Sequence, residues 1–172
     1  NFCGFDTIIG QQIFDLGGGA VLGVELCEDL WVPCPPSGRL TCHGANVIIN
    51  LSASDEYVSK ADYRRSLIAN QSARCICAYV YAGASVFEST TDLVFSGATV
   101  VAENGAVVAE GERFTRESVL TCADIDIEKL NSQRQSNMSF ENRSDEIGFS
   151  VNAVENESND LKYRFVDPHP FV

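Results

Sequence analysis

The sequence predicts an α/β fold in which short buried strands alternate with helical segments. Two observations carry the prediction. Apolar runs of strand length recur at residues 20–27 ("AVLGVELC"), 45–51 ("ANVIINL") and 77–82 ("CAYVYA"), each near-continuous as buried parallel strands are. Between the second and third lies "SKADYRRSLIANQSARC", where Ala61, Ile68 and Cys75 recur at helical spacing beside Tyr63 and Leu67. The 172 residues suffice for one domain with a sizeable core, and 45% apolar content is ordinary for a globular chain.

The elements follow in order. Gly17, Gly18 and Gly19 precede the first of these strands, and Gly23 lies within it. A phosphate-cradling loop would instead follow a strand and open a helix, so a turn is expected there. After residues 20–27 come Glu28, Asp29, Trp31 and three prolines, which force a sharp change of direction. The second strand ends in "NLSAS", with Ser52 and Ser54 at its carboxyl end. Ser59 and Asp62 fit a capping box opening a helix from about residue 59 to 74, and Arg64 and Arg65 read as its solvated face. Val-rich runs then flank Asn104-Gly105, a hairpin signal, because a type I′ turn needs positive φ at both central residues. Residues 118–126 read as a further strand, and Asp126 as the cap of a short helix, "IEKLNSQRQ". After about residue 137 the text is polar and weakly periodic, an extended tail or linker.

The net charge of −12 argues against nucleic acid and anionic membranes as partners, since both demand clustered Lys and Arg. No stretch is long enough to span a bilayer. Seven cysteines without a C-x-x-C spacing or a secretory signal point to reduced thiols and a cytoplasmic setting. The opening "NFCGFDTIIG" has no initiator Met and reads as mid-domain text, so a piece of a longer protein is expected.

Cys27 is the candidate nucleophile. A buried small residue at a strand end is the simpler reading of it. Its place past a strand's carboxyl end favours chemistry, since open α/β sheets carry their sites there. Parallel pairing of the first two strands would bring Ser52 and Ser54 to the same edge. A thiol with an ordinary pKa near 8.5 needs a base or a positive neighbour, and Glu28 and Asp29 are neither. His43 suits a surface or capping role better than a Cys-His dyad. Cys34, Cys42 and His43 match no common zinc spacing, so no metal is expected.

"GVELCEDLWVPCPPS", "INLSAS", "YRRSLIANQSARCICAYVYAGAS", "ESTTDLVFSGATVVAENGAVVAEGERF" and "PHPFV" occur in one order. Together they resemble the amidase domain of the glutamine-dependent NAD⁺ synthetases, a branch of the nitrilase (carbon-nitrogen hydrolase) superfamily. The resemblance implies a nitrilase-type αββα sandwich, partial here because its N-terminal part is missing. It places the C-terminal part of the amidase domain at residues 1–130, and at 131–172 a tail or linker toward a synthetase domain absent from the chain. It implies an enzyme of NAD biosynthesis in which Cys27 attacks the side-chain amide of glutamine and forms a thioester. Ammonia then passes to the synthetase domain, which uses ATP and Mg²⁺; the amidase part needs no cofactor. Glu28 would give its backbone N–H to the oxyanion. The Glu28 side chain, Trp31 and Ser54 would line the glutamine pocket, with Lys60 where the branch can show Arg. The family's catalytic set is Glu, Lys and Cys, with Glu and Lys far upstream of the cysteine. Only 26 residues precede Cys27, none of them lysine, so the isolated chain is expected to be inactive. A homo-oligomer is expected of the full-length protein. The alternatives are a stand-alone nitrilase-type amidase and a non-catalytic remnant whose half-sandwich leaves sheet edges open.

Overall fold

The computed structural model describes residues 3, 4, 6, 10–140, 150–153, 162–165 and 167–169. Its strands are β1 (Gln12–Asp15), β2 (Val21–Leu26), β3 (Val47–Ser52), β4 (Ala78–Gly83), β5 (Thr99–Glu103), β6 (Ala106–Glu110) and β7 (Ser150–Ala153), and its helices are α1 (Pro36–Cys42), α2 (Lys60–Cys75) and α3 (Ile127–Gln135). One sheet runs β6-β5-β4-β3-β2-β1-β7. The central strands β2, β3 and β4 are parallel, and β1, β5 and β6 extend them in antiparallel fashion. Among the described residues no helix is long and apolar enough to cross a membrane.

Register assigns every strand residue to a face. Gly23, Ile48 and Tyr79 share one face, as do Glu25, Asn50 and Tyr81. Helices α1 and α2 cover it, and Leu40, Ile48, Ile68 and Tyr79 there are fully buried. Gly23 is required by close packing: a Cβ would meet Ile48 Cδ1 at 2.9 Å and Leu40 Cδ1 at 3.2 Å. The opposite face carries Leu22, Val24 and Leu26 beside Val47, Ile49 and Leu51. No element covers its carboxyl end among the described residues, and Leu26 and Leu51 are 59% and 54% exposed. A contiguous apolar sheet face of this kind is suited to contact with further protein.

Helix α3 closes the amino end of the parallel strands. Asp126 caps it by accepting from Lys129 N–H at 2.9 Å. Asn131 accepts from Asn46 Nδ2 at 2.8 Å and donates to Gly19 O at 3.2 Å, while Arg134 donates to the carbonyls of Ile76 and Cys75, both at 2.8 Å. The Asn104-Gly105 hairpin forms with φ of 46° and 92°, as its turn type requires. Gly17, Gly18 and Gly19, all at positive φ, make the β1–β2 turn.

Three expectations are corrected. Residues 118–126 form no strand; Val119 and Leu120 face solvent, and Thr121 meets Thr99 by side chain, at 2.7 Å between hydroxyls. Ser59 does not cap α2: it sits at φ 70°, which turns its hydroxyl away, and Lys60 N–H bonds Tyr57 O in a tight turn instead. Arg64 is buried and ion-paired rather than solvated, whereas Arg65 is exposed as expected. The chain does turn sharply after β2, and Pro36 then opens α1 at its first position, where its missing N–H costs nothing. The polar stretch after residue 137 supplies β7, which pairs with β1. Further along it Arg164 reaches Glu103 at 2.6 Å. Residues 141–149 and 154–161 lie outside the described residues.

Candidate active site

Strand β2 delivers Cys27 to the carboxyl edge of the parallel strands and then breaks. Cys27 takes φ 44°, a left-handed conformation that costs a non-glycine residue about 1–2 kcal/mol. It opens a 3-10 turn over Cys27–Leu30, anchored by buried Leu30 and closed by Trp31 N–H on Glu28 O at 2.8 Å. Asp29 reaches back and accepts from Leu26 N–H at 2.8 Å. One of the two carboxylates beside the thiol is therefore spent on holding the turn. Glu28 is exposed.

Parallel pairing of Leu26 with Leu51 brings the end of β3 beside Cys27. Ser52 is buried and donates to Asn50 Oδ1 at 2.6 Å. Ser54 lies half-buried in the loop beyond. That loop leads to Lys60, whose ammonium lies 3.0 Å from Asp55 Oδ1, 5.1 Å from the Trp31 ring centre and 4.8 Å from that of Tyr57. The Lys60 hydrogen bond and charge hold the Asp55 carboxyl below its ordinary range. The structure thus gathers Cys27, Glu28, Trp31, Ser54 and Lys60 at one edge. It joins Trp31 to Lys60 directly and leaves Glu28 reaching into solvent. His43 stands apart, at the carboxyl end of α1 with Nδ1 2.8 Å from Arg39 O.

Three buried polar residues lie below the site, and the sequence reading did not bring them together. Glu25, Asn50 and Tyr79 are each at most 1% exposed. Tyr79 donates to Glu25 Oε2 at 2.5 Å and accepts from Asn50 Nδ2 at 3.2 Å; the Ser37 N–H also donates to Glu25. Burial first, then the Glu25 carboxylate, pushes the Tyr79 hydroxyl far above its ordinary pKa. It therefore stays a hydrogen-bond donor throughout the range in which proteins fold. The signal was a polar side chain at alternate positions in three adjacent apolar runs.

Away from the edge, the Cys75 thiol is shifted from its ordinary range. A hydrogen bond from Cys77 holds Cys75 down at about 7 against the opposing effect of burial, aided by Thr41 and the Arg134 guanidinium. Gln71 Nε2 also donates to Cys75 Sγ at 3.3 Å. Cys75 lies against a cleft of about 350 Å³ between α1 and α2. Its thiolate fraction should therefore rise through pH 7. Peptide mapping after brief alkylation with a small haloacetamide is expected to show a midpoint about 1.5 pH units below that of an ordinary thiol. A midpoint at 8.5 or above would contradict this.

No family model matches the chain. It is 50% identical over 116 residues to the glutamine-dependent NAD(+) synthetase of Mycobacterium bovis, a match covering 67% of this chain and 17% of that protein. The fold matches a glutamine-dependent NAD⁺ synthetase from Acinetobacter baumannii, solved with adenosine diphosphate, at a TM-score of 0.62 and 22% identity, over 73% of this chain and 23% of that one. It also matches Saccharomyces cerevisiae Nit3, a nitrilase-superfamily member, at a TM-score of 0.56 and 20% identity, over 67% of this chain and 41% of that one. The chain spans about a sixth of the length of the curated relatives it matches.

Proposed function

This chain is a homologue of the glutamine-dependent NAD(+) synthetases with a nitrilase-superfamily fold, and from that premise we propose that Cys27 is the nucleophile of a glutamine amidase supplying ammonia for NAD⁺ synthesis. The observation that carries the reading is the strained turn at Cys27. It ends β2 at the sheet's carboxyl edge and starts a 3-10 turn in which Glu28 directly follows the thiol.

The thiolate adds to the side-chain amide carbon of glutamine, and the developing oxyanion takes a hydrogen bond from Glu28 N–H. The base that took the thiol proton returns it to the amide nitrogen, so collapse expels ammonia and leaves a glutamyl thioester on Sγ. Water then cleaves the thioester to glutamate and the free thiol. Backbone donors of this type are worth about 10²–10³ in rate. Glu28's exposed carboxylate suits the α-ammonium group of glutamine, and Lys60, buried beside Trp31 and paired with Asp55, would meet its α-carboxylate by turning from Asp55. Lysine meets a carboxylate as a point charge, without arginine's paired donors. Ser54 supplies a further hydrogen bond at the same edge.

Neither Glu28 nor Asp29 activates the thiol. We assign that task to the Glu base and the Lys that the family resemblance places far upstream of the cysteine. Glu25 cannot act as the base, because it is buried and already accepts two hydrogen bonds. The 172 residues expressed alone should therefore release glutamate at no more than the buffer rate. The intact polypeptide should release it with an acyl-enzyme intermediate. Substantial turnover by the 172 residues alone, lost on Cys27→Ala, would refute this division of labour.

A further inference from the structure

We infer that Asn50 is a positioning residue that aims the Glu28 N–H at the oxyanion by holding the peptide between Cys27 and Glu28. The inference rests on the reading of Cys27 as nucleophile. A peptide's C=O and N–H point in opposite directions across one rigid plane, so whatever grips the carbonyl of Cys27 also sets the direction of Glu28 N–H. Asn50 Nδ2 lies 3.5 Å from that carbonyl oxygen, a long hydrogen bond.

The rest of the network fixes Asn50 itself. Its Oδ1 accepts from Ser52 at 2.6 Å and its Nδ2 also donates to Tyr79 Oη. A flipped amide would set two carbonyl-type oxygens against each other at Cys27, so only one orientation is allowed. Tyr79 donates onward to Glu25, which is held at its other oxygen by the Ser37 N–H. Every donor in the chain Asn50, Tyr79, Glu25 points the same way, toward the carboxylate, an arrangement in which each bond strengthens the next. The chain starts under the nucleophile and ends at the amino end of α1. It spans β2, β3 and β4, the strands that build the edge. Asp29 and Trp31 hold the turn on either side of this peptide, and Asn50 is the side chain that reaches the Cys27 carbonyl itself.

The test is steady-state glutamine hydrolysis by the intact polypeptide carrying Asn50→Leu, with Asn50→Asp, which keeps the shape and the Ser52 contact, as the second variant. The expected result is a fall of about 10- to 100-fold in kcat. KM should stay within about threefold, and alkylation of Cys27 by iodoacetamide should keep its rate, because the thiol itself is untouched. Unchanged kcat in folded Asn50→Leu would overturn the proposal. So would a loss of Cys27 alkylation equal to the loss of kcat, or unfolding of both variants, since either makes Asn50 a purely structural residue. Cys27→Ser run in parallel separates the two levels. If it retains full turnover, the nucleophile assignment fails. If it is inactive while Asn50→Leu is fully active, only the positioning role fails.

Discussion

Replacement of Cys27 by alanine is expected to lower glutamine hydrolysis by the intact polypeptide at least about 10⁴-fold, because removing the nucleophile removes the covalent path altogether. NAD⁺ synthesis supported by added ammonium salt should persist at the wild-type rate, since external ammonia bypasses the amidase step. The split between the two assays discriminates. A destabilised protein would lose both activities, whereas a missing nucleophile abolishes only the glutamine-dependent one. The substitution itself should leave the fold intact. Cys27 is only half-buried at an edge, and alanine removes one sulfur atom. Retention of the glutamine-dependent rate would overturn the assignment of Cys27 as the nucleophile.

The second large effect is on stability. Arg64→Ala should destabilise the protein by about 3–5 kcal/mol, because it leaves the Glu56 carboxylate buried without its main partner. Arg64 Nη2 lies 2.5 Å from Glu56 Oε1, with the two side chains 3% and 6% exposed. The remaining contacts of Glu56 are Ser96 at 2.7 Å and the partly exposed Arg113 at 3.6 Å, too little to replace a direct ion pair. The Arg64 guanidinium also stacks over the Tyr81 ring, 5.6 Å from its centre. A drop in melting temperature of about 6–20 °C is expected from that range. Arg65→Ala is the control one residue away. Its pairing with Glu110 is exposed on both sides, and its loss should cost less than about 1 kcal/mol. Arg64→Met combined with Glu56→Gln should recover much of the loss, since the orphaned charge is then gone. Equal melting shifts for Arg64→Ala and Arg65→Ala would contradict this account. The pair matters for the site because Glu56 anchors the loop carrying Ser54 and Asp55 to α2.

These two residues show what the sequence reveals and what it hides. The place of Cys27 at the end of β2 was legible because its signal is local: an apolar strand, an abrupt stop and prolines downstream. The same is true of β2, β3 and β4, of the Asn104-Gly105 turn and of the Asp126 cap, where residue type and backbone geometry are coupled within a few positions. Arg64 was not legible. An arginine on a helix looks solvated until Glu56 arrives from a separate loop. Helix α2 buries Lys60, Arg64 and Gln71 along with Ile68 and Cys75, so its inward stripe is half polar and its apolar period is blurred. The Ser59 cap failed for a related reason: a tight turn ending at Lys60 left-handed its backbone and displaced the hydroxyl. The stretch at 118–126 had strand-like composition, but no hydrogen-bonding edge receives it. Glu25, Asn50 and Tyr79 are informative in hindsight. Each is polar within an apolar run, and only the register of three strands reveals that they meet.

The central claim is that the Cys27 sulfur carries the glutamyl group during turnover. Rapid acid quench of the intact polypeptide mixed with glutamine, followed by peptide mass spectrometry, tests it directly. The account predicts a glutamyl adduct on the peptide containing Cys27, released by hydroxylamine and lost in Cys27→Ala. Full glutamine turnover with no adduct on that peptide, or an adduct on another cysteine such as Cys75, would contradict it.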